Sequence, residues 1–238
     1  MPDDGGVWLV LPTYNEADNL EALLDAALAT LPTGARVLVV DDASPDGTGR
    51  IADRLAGERE AVHVLHRAGK EGLGPAYVAG YRHALDAGAS LVAQMDADFS
   101  HDPVDLPRLI AAAESADLVL GSRYVDGGGV TDWGATRRAI SRGGSRYARA
   151  ALGIGVNDLT GGFKVFHPEV LEAIDLPSLA SVGYAFQVET TYRALRRGFR
   201  VVEVPITFRD RRVGDSKMSK RIVLEAAWRV PAMRIRGR

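Results

Sequence analysis

Gln94-Met95-Asp96-Ala97-Asp98-Phe99-Ser100 follows directly on the apolar run Leu91-Val92-Ala93, and the reading of this stretch decides the fold. A short apolar run bounded by turn-formers predicts a buried strand. Asp96 and Asp98 are then expected at its carboxyl end, where open α/β sheets place their ligands. Two carboxylates brought together there repel and resist ionisation unless a cation holds them. Hard oxygen donors suit Mg²⁺ or Mn²⁺, and an ion so held grips a diphosphate. The same residues also read as an Asx turn, with Asp98 and Ser100 capping the loop before Pro103. The flanking sequence has to decide between the two.

On the amino-terminal side, Val7 to Leu11 reads as a strand ending at Pro12-Thr13-Tyr14-Asn15-Glu16. Leu20, Leu23, Leu24, Ala27, Leu28 and Leu31 then form one helical stripe, stopped by Pro32 and Gly34. Arg36 to Asp41 is a second buried strand, and Asp42 to Gly47 turns into a helix beginning near Thr48. Val62 to Leu65 reads as a third strand and Gly74 to Ala87 as a helix. Past the central stretch come a helix over Pro103 to Glu114 and a fifth strand over Asp117 to Gly121. This alternation predicts an α/β fold, a mostly parallel, doubly wound sheet with helices on both faces.

The rhythm changes after Gly121. Arg137 to Leu152 reads as a helix with five arginines, Thr160 to Phe166 as a strand after a tight turn, and Pro168 to Ile174 as a helix. A helix over Phe186 to Arg197 and a last strand over Arg200 to Phe208 follow. From Met218 onward a loosely amphipathic helix is expected, interrupted at Pro231. Residues 1–217 are expected to form a single domain, with 218–238 as a basic amphipathic tail.

The chain of 238 residues has no cysteine, which excludes disulfides and thiolate metal sites. No apolar run approaches the ~20 residues of a membrane span, and the acidic start lacks the features of a signal peptide. A cytoplasmic protein is expected. The net charge of −2 hides an asymmetry: residues 209–238 carry ten Lys/Arg against three Asp/Glu, a net of +7, against −9 for the rest. Such a tail suits an anionic partner. Trp228 is its only aromatic residue, so a membrane surface or phosphorylated lipid is favoured and nucleic acid is not expected.

Four loops, Pro12 to Glu16, Asp41 to Gly47, Asp96 to Ser100 and Gly121 to Tyr124, should therefore face one crevice. Their content suits a nucleotide diphosphate-sugar: Tyr14 to cover a base, Glu16 and Asp42 to accept from base or ribose. Gly69, Gly72 and Gly74 follow the third strand without the G-x-G-x-x-G spacing, which argues against a nicotinamide cofactor.

Pro12-Thr13-Tyr14-Asn15-Glu16, Val39 to Gly47, Met95-Asp96-Ala97-Asp98, Gly121-Ser122-Arg123-Tyr124 and Gly214-Asp215-Ser216-Lys217 together resemble the motif set of the GT-A-fold inverting glycosyltransferases. The resemblance is to their polyprenol-phosphate (dolichyl-phosphate) mannose synthase branch and runs from about Val7 to Lys220. It implies metal-dependent transfer of mannose from GDP-mannose to a polyprenyl phosphate. By the same resemblance Pro12, Tyr14, Glu16, Val40 and Asp42 lie on the nucleoside side, and Asp96 and Asp98 hold the metal, with Ala97 contributing backbone. Arg123, Arg209 and Ser216 contact donor phosphate or sugar. The family commonly has glutamine at the position of Ser100. Serine is shorter, so a water is expected between it and the ion.

A leaving nucleoside diphosphate needs its developing charge stabilised, which a divalent ion supplies. A phosphomonoester acceptor is already anionic near neutral pH and needs no general base; a hydroxyl acceptor would need one, with Glu189 or Asp158 as candidates. Arg137, Arg138, Arg209, Arg211, Arg212 and Lys217 are expected to offset the two anions, Arg137, Arg138, Arg211 and Lys217 on the acceptor side and Arg209 on the donor. Asp98, Arg123, Arg209 and Lys217 are thus the expected catalytic set. The acceptor's chain would lie in the bilayer, with this protein peripheral at its cytoplasmic face, held by 218–238 or by a membrane-protein partner. The same fold with UDP-glucose or another donor, and a non-catalytic nucleotide-sugar-binding subunit, stay open.

Overall fold

The computed structural model describes residues 6–179, 184–209 and 229–234. The chain begins as β1 (Val7–Thr13), α1 (Leu20–Thr30), β2 (Arg36–Asp41), α2 (Thr48–Glu58), β3 (Val62–His66), α3 (Leu73–Asp86), β4 (Leu91–Gln94), α4 (Leu106–Ala112) and β5 (Leu118–Ser122). It continues with β6 (Gly129–Val130), α5 (Ala135–Leu152), β7 (Lys164–Phe166), α6 (Pro168–Ala173), α7 (Tyr184–Arg196), β8 (Val201–Pro205) and β9 (Thr207–Phe208). The main sheet has the order β3-β2-β1-β4-β7-β5-β8, and β6 pairs with β9 in a small second sheet.

Strands buried on both faces explain the uninterrupted apolar runs. Alternate residues of β1 and β2 enter two cores. Trp8, Val10, Leu38 and Val40 pack with Tyr77 and Tyr81 of α3, Leu152 of α5 and Phe186 of α7. Leu9, Leu11, Val37 and Val39 pack with Leu20, Leu23 and Leu24 of α1, Leu55 of α2 and Leu109 of α4. Gly80 lets α3 approach the sheet, for a Cβ there would lie 2.4 Å from Val10 Cγ1.

Parallel register brings the carboxyl ends together: Pro12 lies beside Val40, Thr13 beside Asp41, and Val10 beside Gln94. The exception is β7, which runs antiparallel between β4 and β5 with Gln94, Lys164 and Leu120 level. Its reversed direction puts its amino end, and so the preceding residues 158–163, at the carboxyl ends of its neighbours. A strand of opposite sense thereby delivers a loop into the crevice that a uniformly parallel sheet would not.

Four expectations need correction. The strand over Thr160 to Phe166 is only the three residues of β7. The last strand breaks at Ile206, because Pro205 has no N–H for the ladder and the Ile206 side chain turns into the core while its N–H donates to Ser122 O. The segment Pro103–Ser115 is α4 flanked by two short 3₁₀ turns. Residues 229–234 are helical through Pro231, so the expected interruption does not occur there. In that helix Val230 is buried, Met233 packs on the core beneath α5, and Arg234 Nη1 donates to Ala151 O. This part of the basic tail spends its apolar side on the protein. The rest of residues 218–238 lies outside the described residues.

Candidate active site

Asp96 and Asp98 stand just past β4 as expected. The turn that holds them is tightly specified: Phe99 sits at φ +61°, and Ser100 N–H donates to Asp98 Oδ1 at 3.0 Å. Asp98 is buried, whereas the Asp96 side chain is about a third exposed. Tyr77 OH, from α3, donates to Asp96 Oδ1 at 3.0 Å. Gly162, delivered by the loop before β7, lies against the same carboxylate, and a Cβ there would sit 3.2 Å from Oδ1 and 3.3 Å from Oδ2. Ser100 Oγ is buried and makes no hydrogen bond. An orphaned hydroxyl beside two carboxylates is a donor set awaiting a hard cation. Among the described residues no group of three or more His, Asp or Glu surrounds the pair. An ion held there would complete its coordination with phosphate oxygens and water, as Mg²⁺ does. Asp96, Asp98 and Ser100 therefore fit a divalent metal.

His101 was not singled out by sequence, yet it is the turn's anchor. Its Nδ1 accepts from Asp96 N–H at 3.2 Å, and its fully buried ring packs on Phe163 and Phe208. Burial pushes its pKa down, and the carboxylates of Asp96 and Asp98 oppose that shift. The adjacent Ser100 O accepts from Arg209 N–H at 3.0 Å, tying the turn to the end of β9. Only its position next to the Asp-X-Asp triplet could have pointed to it.

Of the residues expected on the nucleoside side, Pro12 and Val40 lie side by side on β1 and β2. Glu16 is buried and accepts from Asn19 Nδ2 at 2.9 Å, while its N–H donates to Thr48 Oγ1. Lys70 Nζ lies over the Tyr14 ring, 3.6 Å from its centroid. Asp42 is buried and accepts from Arg67 Nη1 and from the N–H groups of Glu71 and Gly72. The glycine-rich turn before α3 thus caps Asp42 and places Lys70, a role the motif spacing did not convey. Asn15 and Ala43, each at φ +57°, shape these loops as Phe99 shapes the third. Strained residues of this kind gather where a site over-determines the backbone.

Arg123, expected on the donor, is engaged with Asp158. Its Nε and Nη2 donate to the two oxygens of Asp158 at 2.7 Å, Nη2 also reaches Thr160 Oγ1 at 2.8 Å, and the pair is buried. Burial alone would raise the Asp158 carboxyl; the Arg123 charge and hydrogen bonds outweigh it and hold the pKa below the ordinary value. Asp158 is thereby held as a carboxylate paired with Arg123. Glu189, the other candidate, is buried and bound to Arg193 Nη2 at 2.5 Å. Arg137 stacks over Trp133 at 4.3 Å, Arg138 Nη2 donates to Trp133 O, and Trp133 packs edge-on against Phe208. Arg209 reaches Asp102 at 3.4 Å. Arg211, Arg212, Ser216 and Lys217 lie outside the described residues.

Residues 8–175 match the model of the family described as glycosyl transferase family 2. The chain is 50% identical over 220 residues to the undecaprenyl-phosphate mannosyltransferase of Micrococcus luteus, covering 92% of this chain and 90% of that protein. It is 47% identical over 232 residues to the polyprenol monophosphomannose synthase of Mycolicibacterium smegmatis, covering 97% and 87%. Among solved structures it is similar to glucosyl-3-phosphoglycerate synthase from Mycobacterium tuberculosis in complex with Mn²⁺, uridine diphosphate and glucosyl-3-phosphoglycerate. That superposition has a TM-score of 0.68 at 18% identity, over 98% of this chain and 80% of that one. The same enzyme with Mg²⁺ and uridine diphosphate gives 0.67 at 17%, over 98% and 79%. At that identity the likeness establishes the fold. Motifs, topology and relatives agree: this chain has the GT-A fold, belongs to glycosyl transferase family 2 and is a glycosyltransferase.

Proposed function

We propose that the enzyme transfers mannose from GDP-mannose to a polyprenyl phosphate with inversion, using Mg²⁺ or Mn²⁺ held by Asp96, Asp98 and Ser100. An acceptor phosphate oxygen attacks C1 of the mannose, the C1–O bond to the diphosphate breaks, and GDP departs. The observation that carries this reading is that the two carboxylates the sequence offers as a base, Asp158 and Glu189, are both bound to arginines. Among the described residues this favours an acceptor that needs no base. A phosphomonoester, with its second pKa of about 6, brings its own charge. Both named relatives carry a polyprenyl-phosphate or polyprenol mannosylation activity in their descriptions, which supports the same acceptor and sugar.

When bound, the divalent ion supplies positive charge to the leaving diphosphate. The chain's own residues do the rest. Pro12, Tyr14, Glu16, Val40 and Asp42 border the nucleoside, and Ala97 lines the turn. Arg137, Arg138 and Arg209, with Arg211, Ser216 and Lys217, meet the two phosphates. Arg123 acts through Asp158, fixing the loop that carries Gly162 against Asp96. The acceptor lies in a bilayer, so the enzyme works at the cytoplasmic membrane face, without a partner protein being needed for transfer to dispersed acceptor. Among the described residues no helix is long and apolar enough to cross a membrane.

Donor competition tests this. Purified protein, detergent-dispersed short-chain polyprenyl phosphate and metal are incubated with labelled GDP-mannose or UDP-glucose, and label in the organic extract is counted. GDP-mannose should label the lipid. Label from UDP-glucose alone would overturn the donor, and label in neither extract would overturn the acceptor.

A further inference from the structure

The helix α5 carries five arginines and no acidic residue, and most of its first half stands in solvent. Among the described residues three large hydrophobic side chains are exposed, and two of them lie on this one helix: Ile140, 52% exposed, and Tyr147, 45% exposed. Ile140, Gly143, Gly144 and Tyr147 recur at i, i+3, i+4 and i+7, a single stripe. That stripe runs alongside the line of Ser145, Ala148 and Leu152, the buried residues of the helix, and is turned from it toward solvent. Arg146 runs along one edge of it and Arg137 along the other. A stripe of apolar and small residues bordered by arginines, with no carboxylate near it on the helix, is the composition of a helix lying in a membrane interface.

Its position gives the stripe a use. The first half of α5 is fastened to the loop that leaves the carboxyl end of β5, through Tyr124 OH to Ser141 Oγ at 2.6 Å and Arg137 over Trp133. Trp133 continues through Phe208 to His101 and so to the Asp96–Asp98 turn. Of the expected membrane element, residues 218–238, the described part 229–234 turns Val230 and Met233 onto the core, and Arg234 Nη1 donates to Ala151 O near the end of α5.

We infer that the exposed face of α5 docks on an anionic lipid bilayer, setting the acceptor-side arginines at the headgroup level. The inference rests on the polyprenyl phosphate reading for its purpose, and on charge and exposure for its partner. Its test is co-sedimentation of the full chain with vesicles of phosphatidylcholine alone or mixed with phosphatidylglycerol. The wild-type chain should prefer the mixed vesicles and be released by salt. Arg146→Glu and Ile140→Asp should each lower that partition about tenfold or more. Arg82→Glu, the same change of charge on α3, should leave it within about twofold. No preference for anionic vesicles, unchanged binding by both α5 variants, or equal loss from Arg82→Glu would overturn the inference. So would an α5-dependent dimer in place of vesicle binding. Mannosyl transfer to detergent-dispersed acceptor, run alongside, separates the two claims. Transfer absent from the wild type refutes the substrate reading, whereas transfer retained by variants that no longer bind vesicles supports the docking surface.

Discussion

At the scale of single residues, the buried Arg123–Asp158 pair and the buried Lys164 are ionisable groups whose cost can be measured. Replacing Asp158 by Asn keeps its shape and leaves a buried guanidinium without its counter-charge. The cost should be about 3–5 kcal/mol, read as a lowered urea midpoint at unchanged slope; a loss below about 1 kcal/mol would mean that water reaches the pair. Lys164 on β7 donates from Nζ to Gln187 O at 2.7 Å and to the hydroxyls of Thr190 and Thr191 at 3.0 Å. Burial lowers its pKa to about 7, against an opposing pull from Asp158. Between about pH 7 and 10 the unfolded chain then holds a proton on this lysine that the folded chain has released. Stability from this group therefore rises with pH across that window and is lost as pH falls toward 7, by at most about 1.4 kcal/mol per unit. Unfolding of wild type and Lys164→Met at pH 7 and 8.5 should show the difference moving in favour of the wild type at the higher pH. A difference independent of pH would mean that the ammonium stays charged in the fold.

Elements make the second scale, and here the limits of sequence are physical. Periodicity located α1 and β2 closely, because each is held by its own stripe or run of apolar residues, with Pro32 and Gly34 stopping α1. It could not tell that β7 runs antiparallel, since three residues buried on both faces read alike in either direction. That missing fact hid how Gly162 and Asp158 reach the crevice. The Asp96–Asp98 turn was legible from residue type and strand end alone. His101 was not, because its value lies in accepting a backbone N–H while wedged between rings from residues 163 and 208. Nor was Arg123's commitment to Asp158, a contact 35 residues apart. Close packing of α3 gives a prediction at this scale. Gly80→Ala pushes a methyl group against Val10 and Val40 and should cost about 1–3 kcal/mol, measured by thermal unfolding. Mannosyl transfer per folded molecule should be retained, since Gly80 faces the core.

Taken whole, the molecule is a sheet whose strand ends converge on one carboxylate pair, with an arginine-rich helix tied to the loop after β5. The five loop motifs named the family from sequence, because each is a contiguous string whose chemistry is local. Which charges are spent inside the protein and which face the substrate depends on the folded chain. The central claim is that Asp96 and Asp98 hold a divalent ion on which mannosyl transfer depends. Asp98→Asn keeps the side chain's shape and Ser100's hydrogen-bond partner while removing the charge. The most direct measurement is transfer from GDP-mannose to polyprenyl phosphate by the wild type and Asp98→Asn across a Mn²⁺ titration. The account predicts a rate lower by about a hundredfold or more in the variant, with half-saturation displaced to higher Mn²⁺. Wild-type rate with the wild-type metal dependence would contradict it.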